Sequence, residues 1–215
     1  MSYPINYPTP QGANIQIFKE GGTTSDWVKP QGASFVWFTL IGGGGSGSNV
    51  QGGGSGSVTN CMVPAFLIPN VLQVNVSSGE SVNTTVVYQQ KDGTGYTLLT
   101  ANASTGVLGG VASSDNYFSC MGFFQSVAGN VGSSTTVTAS TTTFLSPGGA
   151  AANNQTSNYG YTSGPSGVDR DGFFSMSPII VASGGMGTGI GGIGSGSGEN
   201  NLSGSSPGLA VIITW

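Results

Sequence analysis

Few residues in this chain could do chemistry, and their spacing narrows it further. The densest group of charges is Asp169-Arg170-Asp171-Gly172. A calcium loop needs more oxygen ligands at alternating positions, so this group reads as a solvated turn. The other acidic residues are scattered, and a glycosidase-type carboxylate pair would have to be brought together by the fold. Gly42, Gly44 and Gly47 match G-x-G-x-x-G, as do Gly187, Gly189 and Gly192. The first match follows a strand-like run, where a dinucleotide fingerprint would sit. Neither match leads into a helix-forming segment, and no lysine stands where a phosphate loop needs one. With 39 glycines in the chain, the pattern arises from composition. Cys61 and Cys120 lie in apolar surroundings and have no further Cys or His with which to complete a zinc site. Their setting fits two buried thiols better than a disulfide. Trp27, Trp37, Phe38 and Trp215 could line a sugar platform, but each lies in or beside an apolar strand, which favours core packing.

Composition excludes more. The chain has 215 residues, 4 Lys+Arg, 8 Asp+Glu and no His. Without histidine there is no His general base, no Ser-His-Asp triad and no His-ligated metal. Lys19, Lys29, Lys91 and Arg170 are too few and too dispersed to track a phosphate backbone, so nucleic acid is not an expected partner. The expectation is a protein with no enzymatic activity, no cofactor and no metal. Only 6% of residues are charged, yet there are 3 Trp, 7 Tyr and 10 Phe. A disordered chain shows the reverse balance, so an ordered core is expected. No run approaches the ~20 apolar residues of a membrane span. Met1 to Pro8 lacks a basic start and an apolar run, so export through a cleaved secretory signal is not expected. Sequons at Asn75, Asn83, Asn102, Asn154 and Asn201 are about as frequent as the Ser and Thr content produces, and they carry no weight without a secretory route.

The elements that would position these residues are short strands. Lys, Glu, Arg and Gln are scarce, and each helical Gly costs roughly 1 kcal/mol relative to Ala, so long helices are excluded. Residues 1–14, with Pro4, Pro8 and Pro10, read as an extended arm that cannot pack on itself. Residues 15–215 read as one glycine-rich β domain. Ile15 to Phe18 alternates as a short strand. Phe35 to Ile41 is apolar on both faces and reads as a central buried strand. Leu72 to Val76 alternates with period two, Val86 to Tyr88 and Tyr96 to Ala101 follow, and Asp92-Gly93 marks a turn. Val111 to Ala128 mixes aromatics, among them Tyr117, Phe118, Phe123 and Phe124, with small residues. Ser133 to Phe144, rich in Thr, reads as an exposed or edge strand. Leu209 to Thr214 reads as a core strand. Short strands separated by Gly-rich turns indicate an all-β fold, a jelly-roll-like sandwich with Gly-rich loops.

The glycine blocks at residues 42–47, 52–57 and 184–198 have a structural reading. Without Cβ atoms, backbones can approach closely and bend sharply. Their N–H and C=O groups still need partners, so these loops must pair with each other or with a neighbouring subunit. Gly43, Gly44, Gly53, Gly187 and Gly189 are therefore candidate inter-subunit contacts, together with Tyr3, Pro4, Tyr7 and Pro8 of the arm.

Several motifs in order resemble the glycine-rich domain of tailed-phage virion proteins. They are Trp27-x-Lys29-Pro30-x-Gly32-Ala33, the strand Phe35 to Ile41, and Gly42-Gly43-Gly44-Gly45-Ser46-Gly47. Pro64-Ala65-Phe66-Leu67-Ile68-Pro69, Leu72-Gln73-Val74-Asn75-Val76, Gly93 through Ala101, and Pro207 through Trp215 follow. The stretch Thr135 to Asn158 has no counterpart, and Ser78-Gly79 stands where the family has a glycine doublet. The resemblance implies a structural or adhesive role in a virion, without enzymology. The expectation is a capsid decoration or minor capsid protein on the particle surface. It would contact the major capsid protein or tail proteins and assemble as a homo-oligomer, for which a trimer is one arrangement. The alternative is a tail or fibre-tip adhesin for host surface polysaccharide, with Tyr159, Tyr161, Phe173 and Phe174 as receptor contacts.

Overall fold

The computed structural model describes residues 14–47, 53–114, 118, 123–131 and 207–215. Nine strands are found among them: β1 (Asn14–Phe18), β2 (Thr24–Val28), β3 (Phe35–Ile41), β4 (Val58–Pro64), β5 (Val71–Asn75), β6 (Thr84–Gln89), β7 (Gly95–Ala101), β8 (Phe123–Val127) and β9 (Leu209–Thr214). A single 3-10 turn, Ala65–Leu67, follows β4. The strands form two antiparallel sheets, one of five strands in the order β1-β9-β3-β4-β8 and one of four in the order β2-β5-β6-β7. The all-β sandwich expected from the sequence is present. Jelly-roll winding is not established by these sheets, because β5, β6 and β7 follow one another as a meander within one of them.

The sequence explains why β3 is central. Its even positions Val36, Phe38 and Leu40 face the space between the sheets, where they meet Trp27, Leu72, Val74, Val86 and Leu99. Cys61, Val63, Ala210 and Ile212 complete that layer from β4 and β9. Trp27 meets Phe38 edge to face, with ring centroids 6.0 Å apart and planes at 67°, the geometry the ring quadrupoles favour. The odd positions Trp37 and Ile41 join Val58, Leu209, Val211 and Ile213 in a second buried cluster on the opposite face. A strand buried on both faces must be apolar throughout, and the run Phe35 to Ile41 is nearly so. Its polar exception is satisfied internally. The Trp37 indole N–H donates to Thr39 Oγ1 at 2.9 Å, and that hydroxyl donates to Asn60 Oδ1 at 2.9 Å. A buried indole and a buried amide would otherwise each cost a desolvation penalty.

The Asp92-Gly93 turn falls where the sequence places it, closing the β6–β7 hairpin. Gly93 has φ +87°, and the Asp92 carboxylate accepts the Thr94 N–H at 2.9 Å. That bond holds the Asp92 carboxyl below its usual range. Cys61 is a free, buried thiol with no exposed surface, and Cys120 lies outside the described residues. Desolvation pushes the Cys61 pKa up to about 12, so the reactive thiolate is almost absent near neutrality. Iodoacetamide at pH 8 is therefore expected to leave Cys61 unmodified in the native protein and to alkylate it after denaturation. Peptide mapping of the adduct checks this.

Candidate functional site

At one end of the sandwich, beyond Ile41, Val58 and Ala101, the chain leaves the sheets but does not lose its hydrogen bonds. Residues 42–47, 53–57, 102–110 and 128–131 lie outside the strands, with one turn at 106–107 closed by the Thr105–Leu108 bridge, and they bond to one another through the backbone. Segment 53–57 is the hub. It accepts from Gly42 N at Ser57 O (2.9 Å) and from Gly45 N at Gly54 O (2.9 Å). Its Gly54 N donates to Gly106 O (3.0 Å), its Ser57 N donates to Asn102 O (2.9 Å), and its Ser55 O accepts from Gly110 N (2.8 Å). On a third side Ser55 N donates to Asn130 O at 2.9 Å. A strand in a sheet has two neighbours in one plane, because side chains block its faces. Segment 53–57 has three neighbouring segments, because glycine leaves its faces open.

The approach is too close for any side chain at several points. A Cβ on Gly42 would lie 2.2 Å from the Asn102 carbonyl oxygen, and one on Gly45 would lie 2.0 Å from that of Gly106. Glycine composition here is a packing requirement, which answers the question the sequence leaves open. The glycines of segments 42–47 and 53–57 are not a linker, and no α-helix is found among the described residues around Gly42-x-Gly44-x-x-Gly47. Gly43, Gly44 and Gly53 are buried inside the chain. The Gly43 carbonyl accepts the Ser104 N–H at 2.9 Å, and a Cβ at Gly43 would lie 2.2 Å from the Gly79 carbonyl oxygen. These three glycines therefore meet this chain's own segments. Tyr3, Pro4, Tyr7, Pro8, Gly187, Gly189, Tyr159, Tyr161, Phe173 and Phe174 lie outside the described residues, as do Ser133 to Phe144 and Asp169 to Gly172.

One charged group anchors the bundle, and sequence reasoning did not single it out. Glu80 Oε2 accepts from the Ser46 N–H (3.0 Å), the Ser46 hydroxyl (2.7 Å) and the Gly106 N–H (3.2 Å). A lone Glu between two glycine blocks was the available signal. The Ser46 N–H, then the Ser46 hydroxyl, hold the Glu80 carboxyl below its usual value of 4.5, against a smaller opposing effect of burial. A carboxylate with a lowered folded pKa stabilises the fold above about pH 4.5 and loses that contribution as pH falls through the folded value. Glu80 is largely solvent-facing, so its worth is discounted for screening to about 1 kcal/mol. Glu80→Gln is expected to lower the urea midpoint at pH 7 by a corresponding amount, and the gap from wild type is expected to narrow as the pH falls below 4.5. Urea titrations at pH 7 and at successively lower pH check this.

The opposite end of the sandwich is apolar and open. Phe35 and Trp215 stack with centroids 6.1 Å apart and planes at 25°, and they are 39% and 37% exposed. Trp27, Trp37 and Phe38 pack in the interior as expected, whereas Trp215 lies partly at the surface, just past β9 and stacked on Phe35. Lys29 explains much of the Trp-x-Lys-Pro motif. Its ammonium donates to Ala65 O and Ile68 O, each at 2.8 Å, and so fixes the 3-10 turn. Phe66 projects from that turn with 82% of its surface exposed.

A shallow cavity of about 480 Å³ on the four-stranded sheet is lined by Asp26, Asn70, Gln73, Tyr88 and neighbouring residues. Asp26 is the one carboxylate among its described lining residues. Among the described residues there is no group of three or more His, Cys, Asp or Glu that could hold a metal, and no helix is long and apolar enough to cross a membrane. Neither the protein-family models nor the curated proteins contain a match to this chain.

Proposed function

We propose that this chain is a non-enzymatic structural protein on the surface of a virion, a capsid decoration or minor capsid component. The observation that carries the proposal is the glycine bundle. It commits four backbone segments and the Glu80 carboxylate to rigidity, and its inner glycines have no room for the side chains that catalysis would need. The surface it leaves is polar but nearly uncharged, with 6% charged residues in the whole chain. Such a surface is buried between subunits without the desolvation cost of many ions. The order of motifs shared with glycine-rich phage domains supports the same role. In this reading the protein contributes mechanically, as a rigid unit that docks on other virion proteins and on copies of itself.

Quantitative mass spectrometry of purified particles tests the reading. A copy number comparable with that of the major capsid protein is expected. A few copies per particle, with binding of the purified protein to host cells, would replace it with a tail or fibre-tip adhesin.

A further inference from the structure

This end of the five-stranded sheet presents Phe35 and Trp215, stacked on each other, and the turn after β4 presents Phe66 and Leu67, all four exposed. Scattered exposed hydrophobes are ordinary, but large apolar side chains held together at one end of a sheet mark an interaction surface. Two features show that it is built and not loose. Lys29 holds the turn that presents Phe66 through two charge-assisted hydrogen bonds. Trp215 is tied down by backbone bonds from Ser34 N and Phe35 N to its carbonyl and from its own N–H to Phe35 O, at 2.7, 3.1 and 3.3 Å. Aromatic rings are thus displayed to solvent on fixed backbone.

From this surface, and resting on the assembled role proposed above, we infer that the aromatic end of one copy receives residues 1–13 of a second copy. Three observations choose this occupant. First, residues 1–13 join β1 at Asn14, which pairs with Thr214, so they attach at the end that carries Trp215. Second, their composition fits. They include Tyr3, Pro4, Ile5, Tyr7, Pro8 and Pro10 and no charged residue. A proline-rich segment cannot supply a full set of N–H groups to a strand, so it docks by laying its rings on aromatic side chains. Third, the segment is long enough to leave the domain it joins. At ~3.1 Å per residue in a polyproline conformation, residues 1–13 span about 40 Å, enough to reach a neighbouring domain. The exchange is reciprocal when the copies are related by closed symmetry, and each copy both gives and receives a segment.

Sedimentation velocity on the full chain over a range of concentrations tests this. Three proteins are compared: wild type, Phe66→Ser, and the double variant Tyr3→Ser with Tyr7→Ser. Self-association of wild type is expected, and both variants are expected to weaken it at least tenfold with no change in the thermal midpoint read at concentrations where all three are monomeric. A synthetic peptide of residues 2–11 is expected to compete and dissociate the wild-type oligomer. A wild-type chain that stays monomeric would overturn the inference, and peptide binding to that monomer would assign the surface to another occupant. An oligomer insensitive to both variants would overturn it by placing the interface elsewhere. Particle copy number is a separate readout, so a chain that exchanges segments but is absent from capsids refutes the virion role and leaves the exchange standing.

Discussion

Gly42→Ala is expected to destabilise the protein by about 3 kcal/mol or more, enough to lower its thermal midpoint by roughly 6–12 °C in a chain of this size. The added Cβ would lie 2.2 Å from Asn102 O, 2.5 Å from Asn102 C and 2.9 Å from Ala103 N. All three atoms are backbone, so no rotamer change can relieve the clash. Segment 102–110 would have to move, and it carries the Asn102 carbonyl that accepts Ser57 N and the Gly106 carbonyl that accepts Gly54 N. The damage therefore spreads to the hub segment. Gly95→Ala is the matched control. Its Cβ would meet only the Val87 Cγ1 at 3.4 Å and the Gln89 Nε2 at 3.9 Å, ordinary contacts at a strand position without a positive φ. That variant is expected to be neutral or to gain about 0.5 kcal/mol from lost chain entropy. Differential scanning calorimetry of both variants checks the contrast. Equal tolerance at the two sites would mean that the glycine bundle is loosely packed.

The second large effect is expected at the core. Phe38→Ala removes a ring with no exposed surface from the layer between the sheets. The lost transfer energy and the cavity left against Trp27 together are expected to cost about 3–5 kcal/mol. Phe66→Ala, at 82% exposure, is expected to change monomer stability by less than about 0.5 kcal/mol. The same residue type then gives opposite outcomes, set only by which end and which face of the sandwich it occupies. Chemical denaturation of the two variants, compared at equal slope, provides the measurement.

β1 was readable from the alternation of Ile15 to Phe18 alone, although it buries no residue fully; the other strands that could be read in advance share a physical property. β3, β5, β6, β7 and β9 are rich in β-branched or aromatic residues and show either period-two alternation or a doubly apolar run, because each is flanked or packed on at least one fully buried face. β2 and β4 gave weaker signals. In β2, Thr24-Ser25-Asp26-Trp27-Val28 buries only Trp27 at this sheet edge, so propensity had little to register. In β4, Thr59 and Asn60 interrupt the apolar pattern, and only the fold reveals that they are satisfied by Thr100 O and by the Thr39 hydroxyl. Pattern analysis treats such residues as solvent-facing, whereas here hydrogen bonds carry them into the interior.

The glycine blocks were legible as material that must find hydrogen-bond partners, but not as to which partners. Each glycine lacks the side chain by which periodicity reports a face. The partners of Gly54, for instance, lie in segment 42–47, across the intervening loop, and in segment 102–110, far away in sequence. For the same reason Gly43, Gly44 and Gly53 read equally well as contacts to another subunit, and the fold assigns them to the chain's own interior. Glu80 was invisible for a different reason. A single carboxylate has no spacing, and its role depends on two loops meeting in space.

Amide hydrogen exchange resolved at single residues tests the central claim most directly. The N–H groups of Gly42, Gly45, Gly54 and Gly110 each donate to a carbonyl in another segment, outside any regular sheet. Rigid, bonded packing predicts that they exchange as slowly as the β3 amides, at rates governed by unfolding of the whole domain. Exchange at those four amides close to that of an unstructured peptide, while β3 stays protected, would show that the glycine segments are flexible loops and would contradict the account.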